Sequence, residues 1–314
     1  MTSAKTERER RIRRPLDGVL LFDKPLELSS NTAMQKVRWL YRAEKAGHTG
    51  TLDPLASGLL PICFGEATKF THALLDADKG YRAVVRLGQR TSTGDAEGEV
   101  IERRPVAVDE VQVLAAMARL TGEIQQVPPM HSALKHQGKP LYEYIRNGEV
   151  IEREARTVRI HELKLEYLRG DELAFEVLCS KGTYVRTLAE DLGELLGCGG
   201  HLIGLRRTRI GRFTLDGSFT LQQIESMTEE ERDARLLALD SLVQDFPALT
   251  VDAVQAGRLA QGQRLGLRDG LPDGKRRLYA AGVFLGLGEL IGGRLSPHRL
   301  LSRIARAAAV PKSA

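Results

Sequence analysis

Residues 47–60 read Gly47-His48-Thr49-Gly50-Thr51-Leu52-Asp53-Pro54-Leu55-Ala56-Ser57-Gly58-Leu59-Leu60. The glycines and Pro54 fix an irregular backbone with Asp53 at its middle, and the apolar run from Gly58 to Phe64 reads as a buried strand. An Asp in such a loop can be held rigidly and partly away from water. A carboxylate so placed serves as nucleophile or base. Asp-Pro also makes ordinary turns, and the composition of the loop fits either role.

Upstream, Gly18 to Phe22 reads as a strand. Ser29-Ser30-Asn31 offers N-caps to a helix with Ala33, Val37 and Leu40 on one face. Downstream, Glu66 to Leu75 suggests a short helix. From Tyr81 to Leu87 the residues Tyr81, Ala83, Val85 and Leu87 share one face of a strand. Asp109 caps a helix reaching about Leu120. Residues 124–153 have weak periodicity and contain Pro128-Pro129, so they read as a protruding loop with a short helix near Leu141 to Asn147. Strands return at 156–168 and 172–180. An amphipathic helix at Thr183 to Leu196 and a strand at His201 to Phe213 follow. Leu221 to Leu242 reads as mainly helical. From about Leu249 the chain is Gly-rich with short apolar runs, which predicts a small β-rich domain. The mixed order of strands and helices favours α+β over a doubly wound sheet.

The 314 residues carry 46 Lys/Arg and 41 Asp/Glu, a net charge of +5. Residues 251–314 hold eleven Lys/Arg against four acids, a surplus of seven, and the first fourteen residues are +4. Electropositive ends suit a polyanion such as nucleic acid; solvated surface charge accounts for them equally well. No apolar run approaches the roughly 18–20 residues of a membrane span, and the start of the chain has no apolar signal core. A cytoplasmic protein is expected. Cys63, Cys179 and Cys198 stand at unrelated spacings, with neither a disulfide framework nor metal-ligand spacing. No metal site is expected.

The 47–60 stretch closely resembles the catalytic loop of the TruB-type pseudouridine synthases. Asp23-Lys24-Pro25 followed by Ser29-Ser30 is similar to the family's opening motif, although Leu26-Glu27-Leu28 lacks its usual glycine. Lys79-Gly80-Tyr81 resembles the segment with the active-site tyrosine. Cys179 to Leu188 resembles the motif with the active-site arginine, and Leu205 to Gly211 the family's LRRTxxG segment. The resemblance spans residues 18–213. The remainder is similar to a bacterial PUA-like RNA-binding domain. The expected organisation is a flexible basic arm at 1–15, a pseudouridine synthase domain at 16–247 with a mixed, mainly antiparallel sheet and an RNA-gripping insertion at 124–153, and a PUA-like domain at 248–314.

The resemblance implies a cofactor-free isomerisation of uridine-55 in the T arm of tRNA. The uracil is detached at N1, turned while bound, and rejoined through C5. Asp53 would be the essential carboxylate, acting at C1′ as nucleophile or at C2′ as base. A buried carboxylate alone would take up a proton, and Arg186 can keep Asp53 ionised through a bidentate pair; without the family, Arg186 serves equally as a structural arginine at the head of its helix. Tyr81, on spacing alone a core tyrosine, becomes a stacking platform for the base. Tyr184 supports the pocket, and Leu205 lies in its wall. The target base must leave its stack, and His48 would fill the space. Lys135, Lys139, Arg146 and Arg153 would grip the T arm, with Lys275, Arg276 and Arg277 as RNA contacts in the last domain. The expected partner is tRNA alone, with a monomeric enzyme and no obligatory protein partner. The rival reading is a non-catalytic RNA-binding or tRNA-folding protein.

Overall fold

The computed structural model describes residues 12–132, 134–146, 148–149, 151–267 and 270–302. Most of the arm expected at 1–15, and the side chains of Lys135 and Arg146, lie outside the described set.

A ten-stranded sheet runs through the first 220 residues. Its order is Phe219–Thr220, Gly18–Lys24, Ala56–Phe64, Gly200–Ile210, Lys79–Leu87, Glu172–Cys179, Arg156–Arg169 and Gly122–Gln126. Two short strands pair onto it, Ala46–His48 against Ala56–Phe64 and Phe213–Thr214 against Gly200–Ile210. Only two pairings are parallel: Phe219–Thr220 with Gly18–Lys24, and Gly200–Ile210 with Ala56–Phe64. The sheet is therefore mixed and mainly antiparallel, the α+β architecture expected from the resemblance to the pseudouridine synthase fold.

Period-two alternation divides the central strands between two cores. Val19 and Leu21 of the Gly18–Lys24 strand, with Leu59 and Cys63 of Ala56–Phe64, face one cluster. Leu20, Phe22, Leu60 and Ile62 face the other, against Ala33 and Val37 of the Ser30–Leu40 helix. Ser29 caps that helix by accepting from the Thr32 amide at 3.1 Å. A third cluster packs Ala83, Val85 and Phe175 against Val113 and Met117 of the Glu110–Arg119 helix and Leu188 and Leu192 of the Val185–Leu195 helix.

A five-stranded sheet, with Ala248–Thr250, Gly274–Ala280, Val283–Ile291, Arg294–Leu300 and Leu265–Gly266 in that order, forms the C-terminal part. Phe284, Leu287 and Leu301 join Val19, Leu59 and Phe70 in one continuous apolar cluster, so the two sheets share a core. Tyr279 donates to Asp240 at 2.6 Å across the same boundary.

Four expectations change. Residues 221–242 are not one helical run but two short helices, Leu221–Ser226 and Glu229–Asp233, and a 3-10 turn at Leu239–Val243. Thr228 with Glu231 builds a capping box just after the Leu221–Ser226 helix ends, so a new helix starts where the old one would have continued. The 124–153 excursion starts later than expected, because Gly122–Gln126 is an edge strand on Arg156–Arg169. The C-terminal part contains a helix, Ala253–Ala260, capped by Asp252. Arg14, within the expected arm, is docked: it forms a two-pronged pair with Asp233 and donates to the Tyr41 carbonyl. Among the described residues no helix is long and apolar enough to cross a membrane.

Candidate active site

Asp53 stands on the loop between the Ala46–His48 and Ala56–Phe64 strands. Side chains from distant motifs fix this loop. Ser30 accepts from the Leu52 amide at 2.7 Å and donates to the Leu52 carbonyl at 2.9 Å. The Glu27 amide donates to the Pro54 carbonyl at 2.8 Å. Arg207, almost fully buried, donates to the carbonyls of Leu59 at 2.8 Å and Gly50 at 3.1 Å. The adjacent serines of the opening motif thus divide the work, Ser29 starting a helix and Ser30 holding the loop. Gly58 lets the Gly200–Ile210 strand come close: its φ is +103°, and a Cβ there would stand 2.3 Å from the Arg207 carbonyl oxygen.

Arg186 enters from the first turn of the Val185–Leu195 helix. One terminal nitrogen lies 3.1 Å from Asp53 Oδ2, and also donates to the His131 carbonyl at 2.6 Å. The other lies 2.8 Å from Asp95 Oδ2. The expected bidentate Arg186–Asp53 pair is therefore shared between two carboxylates. Asp95 is the buried one, 8% exposed, while Asp53 is 54% exposed. Asp53 is presented to solvent rather than enclosed, and Asp95 neutralises the buried guanidinium. Asp95 is itself held by Thr93 Oγ1 at 2.5 Å and the Glu97 amide at 3.1 Å. The Leu202 amide donates to the Gly94 carbonyl and docks this loop on the central sheet.

Two cavities meet at Asp53. The smaller, about 300 Å³, is lined by Tyr81, Ser132, Tyr184, Arg186 and Leu205. The larger, about 670 Å³, opens past Ser29, Pro54, Glu97, His131 and Leu202. Thr51, Asp53, Ala56, Ser132, Arg186 and Leu205 belong to both walls. Tyr81 is half-buried; burial pushes its hydroxyl above the ordinary range, and Arg207 beside it acts in the opposite direction. Tyr184 is fixed through its backbone: its amide donates to Gln126 Oε1 at 3.0 Å, and Gln126 Nε2 donates back to its carbonyl at 3.3 Å.

Behind the loop, Lys24 is fully buried and donates to the carbonyls of Pro25 and Leu28. Burial lowers its pKa to about 8, with the charge of Asp53 acting in the opposite direction. Asp23 pairs in two-pronged fashion with Arg206. His48 is half-buried and lines neither cavity. Burial, then Arg207, lowers its pKa, and its Nδ1 has no partner among the described residues.

The structure thus brings Asp53, Tyr81, Tyr184, Arg186 and Leu205 together. The basic residues named from sequence behave differently. Lys139 and Lys275 are exposed, Lys275 lying over the Phe246 ring. Arg153 donates to the Pro128 carbonyl at 3.0 Å and closes the base of the excursion. Arg276 is buried on the carbonyls of Lys275 and Pro272. Arg277 lies at the boundary of the two sheets, on the Phe246 carbonyl and near Asp240. Alternation explains the contrast within one strand: Lys275 faces out where Arg276 faces in. Sequence reasoning missed Asp95, Gln126 and the gripping role of Arg207. Thr91-Ser92-Thr93-Gly94-Asp95 has the same Gly/Thr/Asp character as the 47–58 loop, and that signal could have found Asp95. Among the described residues no group of three or more His, Cys, Asp or Glu could hold a metal ion.

Family models match nearly the whole described chain. The TruB family pseudouridylate synthase N-terminal domain matches residues 38–185, the tRNA pseudouridylate synthase B C-terminal domain 186–249, and the pseudouridine synthase II TruB C-terminal model 247–301. The tRNA pseudouridine synthase B of Burkholderia mallei is 56% identical over 301 residues, covering 94% of this chain and 97% of that protein. That of Methylobacillus flagellatus is 55% identical over 295 residues, covering 93% and 97%. The solved Cbf5-Nop10-Gar1 complex shares the fold, with a TM-score of 0.70 at 24% identity over 90% of this chain and 84% of that one. An archaeal box H/ACA Nop10-Cbf5 complex does so at 0.68, with 24% identity over 91% and 86%. The chain belongs to the TruB family of pseudouridine synthases.

Proposed function

We propose that this protein converts uridine-55 of the tRNA T arm to pseudouridine, with Asp53 as the essential carboxylate. The observation that carries the reading is the position of Asp53 at the junction of two cavities, one sized for a base and one open to a chain, within 3.1 Å of Arg186. The base enters the smaller cavity and stacks on Tyr81, against Leu205 and the ring of Tyr184. Asp53 acts on the ribose, at C1′ or at C2′. The N1–C1′ bond breaks, the uracil turns, the C5–C1′ bond forms, and the proton of C5 is replaced by one on N1. Arg186 orients Asp53 through their 3.1 Å ion pair, and Asp95 anchors Arg186.

His48, outside both cavities, suits a role in the stack the uridine leaves. Lys139 and its neighbours Lys135 and Arg146 grip the T arm. The C-terminal part, 248–314, is a PUA-like domain that binds tRNA, chiefly through exposed side chains such as Lys275. The enzyme acts in the cytoplasm as a monomer. The reaction asks for no metal or cofactor, because the leaving uracilate is stabilised by delocalisation and hydrogen bonds. Pure protein incubated with a T-arm transcript, followed by pseudouridine mapping, tests the reading. One modified position in the T loop is expected; tight binding without modification would establish the RNA-binding or RNA-folding alternative.

A further inference from the structure

Ser132 lies in the wall shared by the two cavities, as Asp53 does. It is 5% exposed, and its hydroxyl is buried without a hydrogen-bond partner among the described residues. Buried hydroxyls in folded proteins are nearly always satisfied. A Ser with no partner among the described residues, set in a cavity wall, is therefore suited to a partner that arrives with the ligand. Its backbone is also fixed: the carbonyl of the preceding residue, His131, accepts from Arg186 at 2.6 Å. The peptide group that leads into Ser132 is thus anchored on the same guanidinium that lies 3.1 Å from Asp53.

Geometry restricts what it can meet. A nucleotide occupying the site puts its base in the smaller cavity and its chain in the larger. The part at the junction is the sugar, which joins the two. The ribose O3′ and O5′ are esterified in the chain, and O4′ is a weak acceptor within the ring. The 2′-hydroxyl remains, both donor and acceptor, and a Ser hydroxyl complements it in either sense. It is also the group by which RNA differs from DNA. Resting on the reading of the site as a uridine pocket, we propose that Ser132 hydrogen-bonds the 2′-hydroxyl of the reacting ribose. It positions that sugar against Asp53 and contributes to selecting RNA.

The test pairs a single-group change in the enzyme with one in the RNA. Dissociation constants are measured in an Asp53→Asn background, so that the RNA is not turned over. T-arm RNA carrying uridine or 2′-deoxyuridine at the reacting position is compared with and without Ser132→Ala. With uridine, Ser132→Ala should weaken binding about threefold to tenfold, the range of one neutral hydrogen bond. The 2′-deoxy RNA should bind the Ser132 protein weaker by a similar factor, and the Ala variant no weaker again. Independent, multiplicative losses would overturn the proposal, as would no loss from Ser132→Ala. Ser132→Cys, close in size and a weak donor, should fall between. Thermal unfolding of Ser132→Ala should match that of the parent; a marked fall with multiplicative losses assigns Ser132 a packing role and overturns the proposal. Pseudouridine formation by the wild type is scored separately. Its absence would refute the assigned reaction while the binding cycle still reports on the sugar contact.

Discussion

The guanidinium of Arg186 is anchored on the buried carboxylate of Asp95, 2.8 Å away. Asp53 approaches the same guanidinium from the solvent side. A buried ion pair is costly to break from one side, because the remaining charge is left in a poor solvent. Asp95→Ala should therefore destabilise the fold by about 3 kcal/mol and lower the single-turnover rate, since Arg186 loses its fixed direction. Urea unfolding and single-turnover kinetics measure the two effects. A stable variant with a normal rate would show that the His131 carbonyl alone orients Arg186.

Asp53→Asn retains shape and loses charge. It should abolish turnover while leaving tRNA affinity within a few-fold, the pattern of a group used in the transition state rather than in binding. Because Asp53 is half exposed and the buried Arg186 guanidinium keeps its Asp95 partner, replacement of Asp53 should leave the unfolding midpoint nearly unchanged. A near-normal single-turnover rate for Asp53→Asn would remove Asp53 from its assigned role.

Much of the site was legible because its motifs are local. Asp53 lies in a loop whose glycines and Pro54 announce an irregular backbone, and Arg186 opens a strongly amphipathic helix. Asp95 was not legible as a partner. Its importance comes from the docking of the 91–98 loop onto the Gly200–Ile210 strand, a contact over about a hundred residues of sequence. Arg276 shows the opposite failure. A run of Lys275-Arg276-Arg277 reads as an exposed basic patch, but strand alternation turns Arg276 inward. The shared core of the two sheets was equally hidden, since no local pattern tells which apolar face of a C-terminal strand meets Phe70.

Asp191, near the end of the Val185–Leu195 helix, has its pKa raised to about 6, first by burial and then by Glu194. The folded state therefore holds this proton more tightly than the unfolded state does. The stabilising contribution is complete below the ordinary value of 3.8 and is lost as pH rises to about 6. Wild-type stability minus that of Asp191→Asn should fall between pH 4 and pH 6 and stay flat above that range. Chemical denaturation across the range checks it; a flat difference would show that Asp191 titrates normally.

Chelation should leave the chemical step intact. The assigned reaction uses a carboxylate, a guanidinium and a tyrosine wall, and none of these needs a metal. Single turnover on prefolded RNA in excess EDTA should proceed at close to the untreated rate. Weaker RNA folding would raise the apparent dissociation constant and leave the saturated rate unchanged. Complete loss restored by one specific metal would contradict the assignment.

The C-terminal charge is best tested without removing the domain. A truncation near Asp245 would strip Phe284, Leu287 and Leu301 from a core they share with Val19 and Phe70, so lost activity would report unfolding. Lys275 and Arg299 offer a cleaner probe. Both are exposed, and both line a cleft of about 540 Å³ between the two sheets, across from His72 and Asp76. Replacing both by Gln leaves the shared core intact. If each meets a phosphate, the slope of log affinity against log salt should shrink by about 1.4 to 1.8, the lower figure for single-stranded contacts and the higher for duplex. The saturated single-turnover rate should hold, because contacts in a cleft that shares no lining residue with the two cavities at Asp53 bind ground state and transition state alike. A rival reading is that the cleft orients the T arm, and it makes a different forecast. In that case the saturated rate falls, because misplacing a reacting ribose by even an ångström is costly. Measuring slope and saturated rate on the same double variant separates grip from orientation. An unchanged slope with a collapsed rate would refute grip.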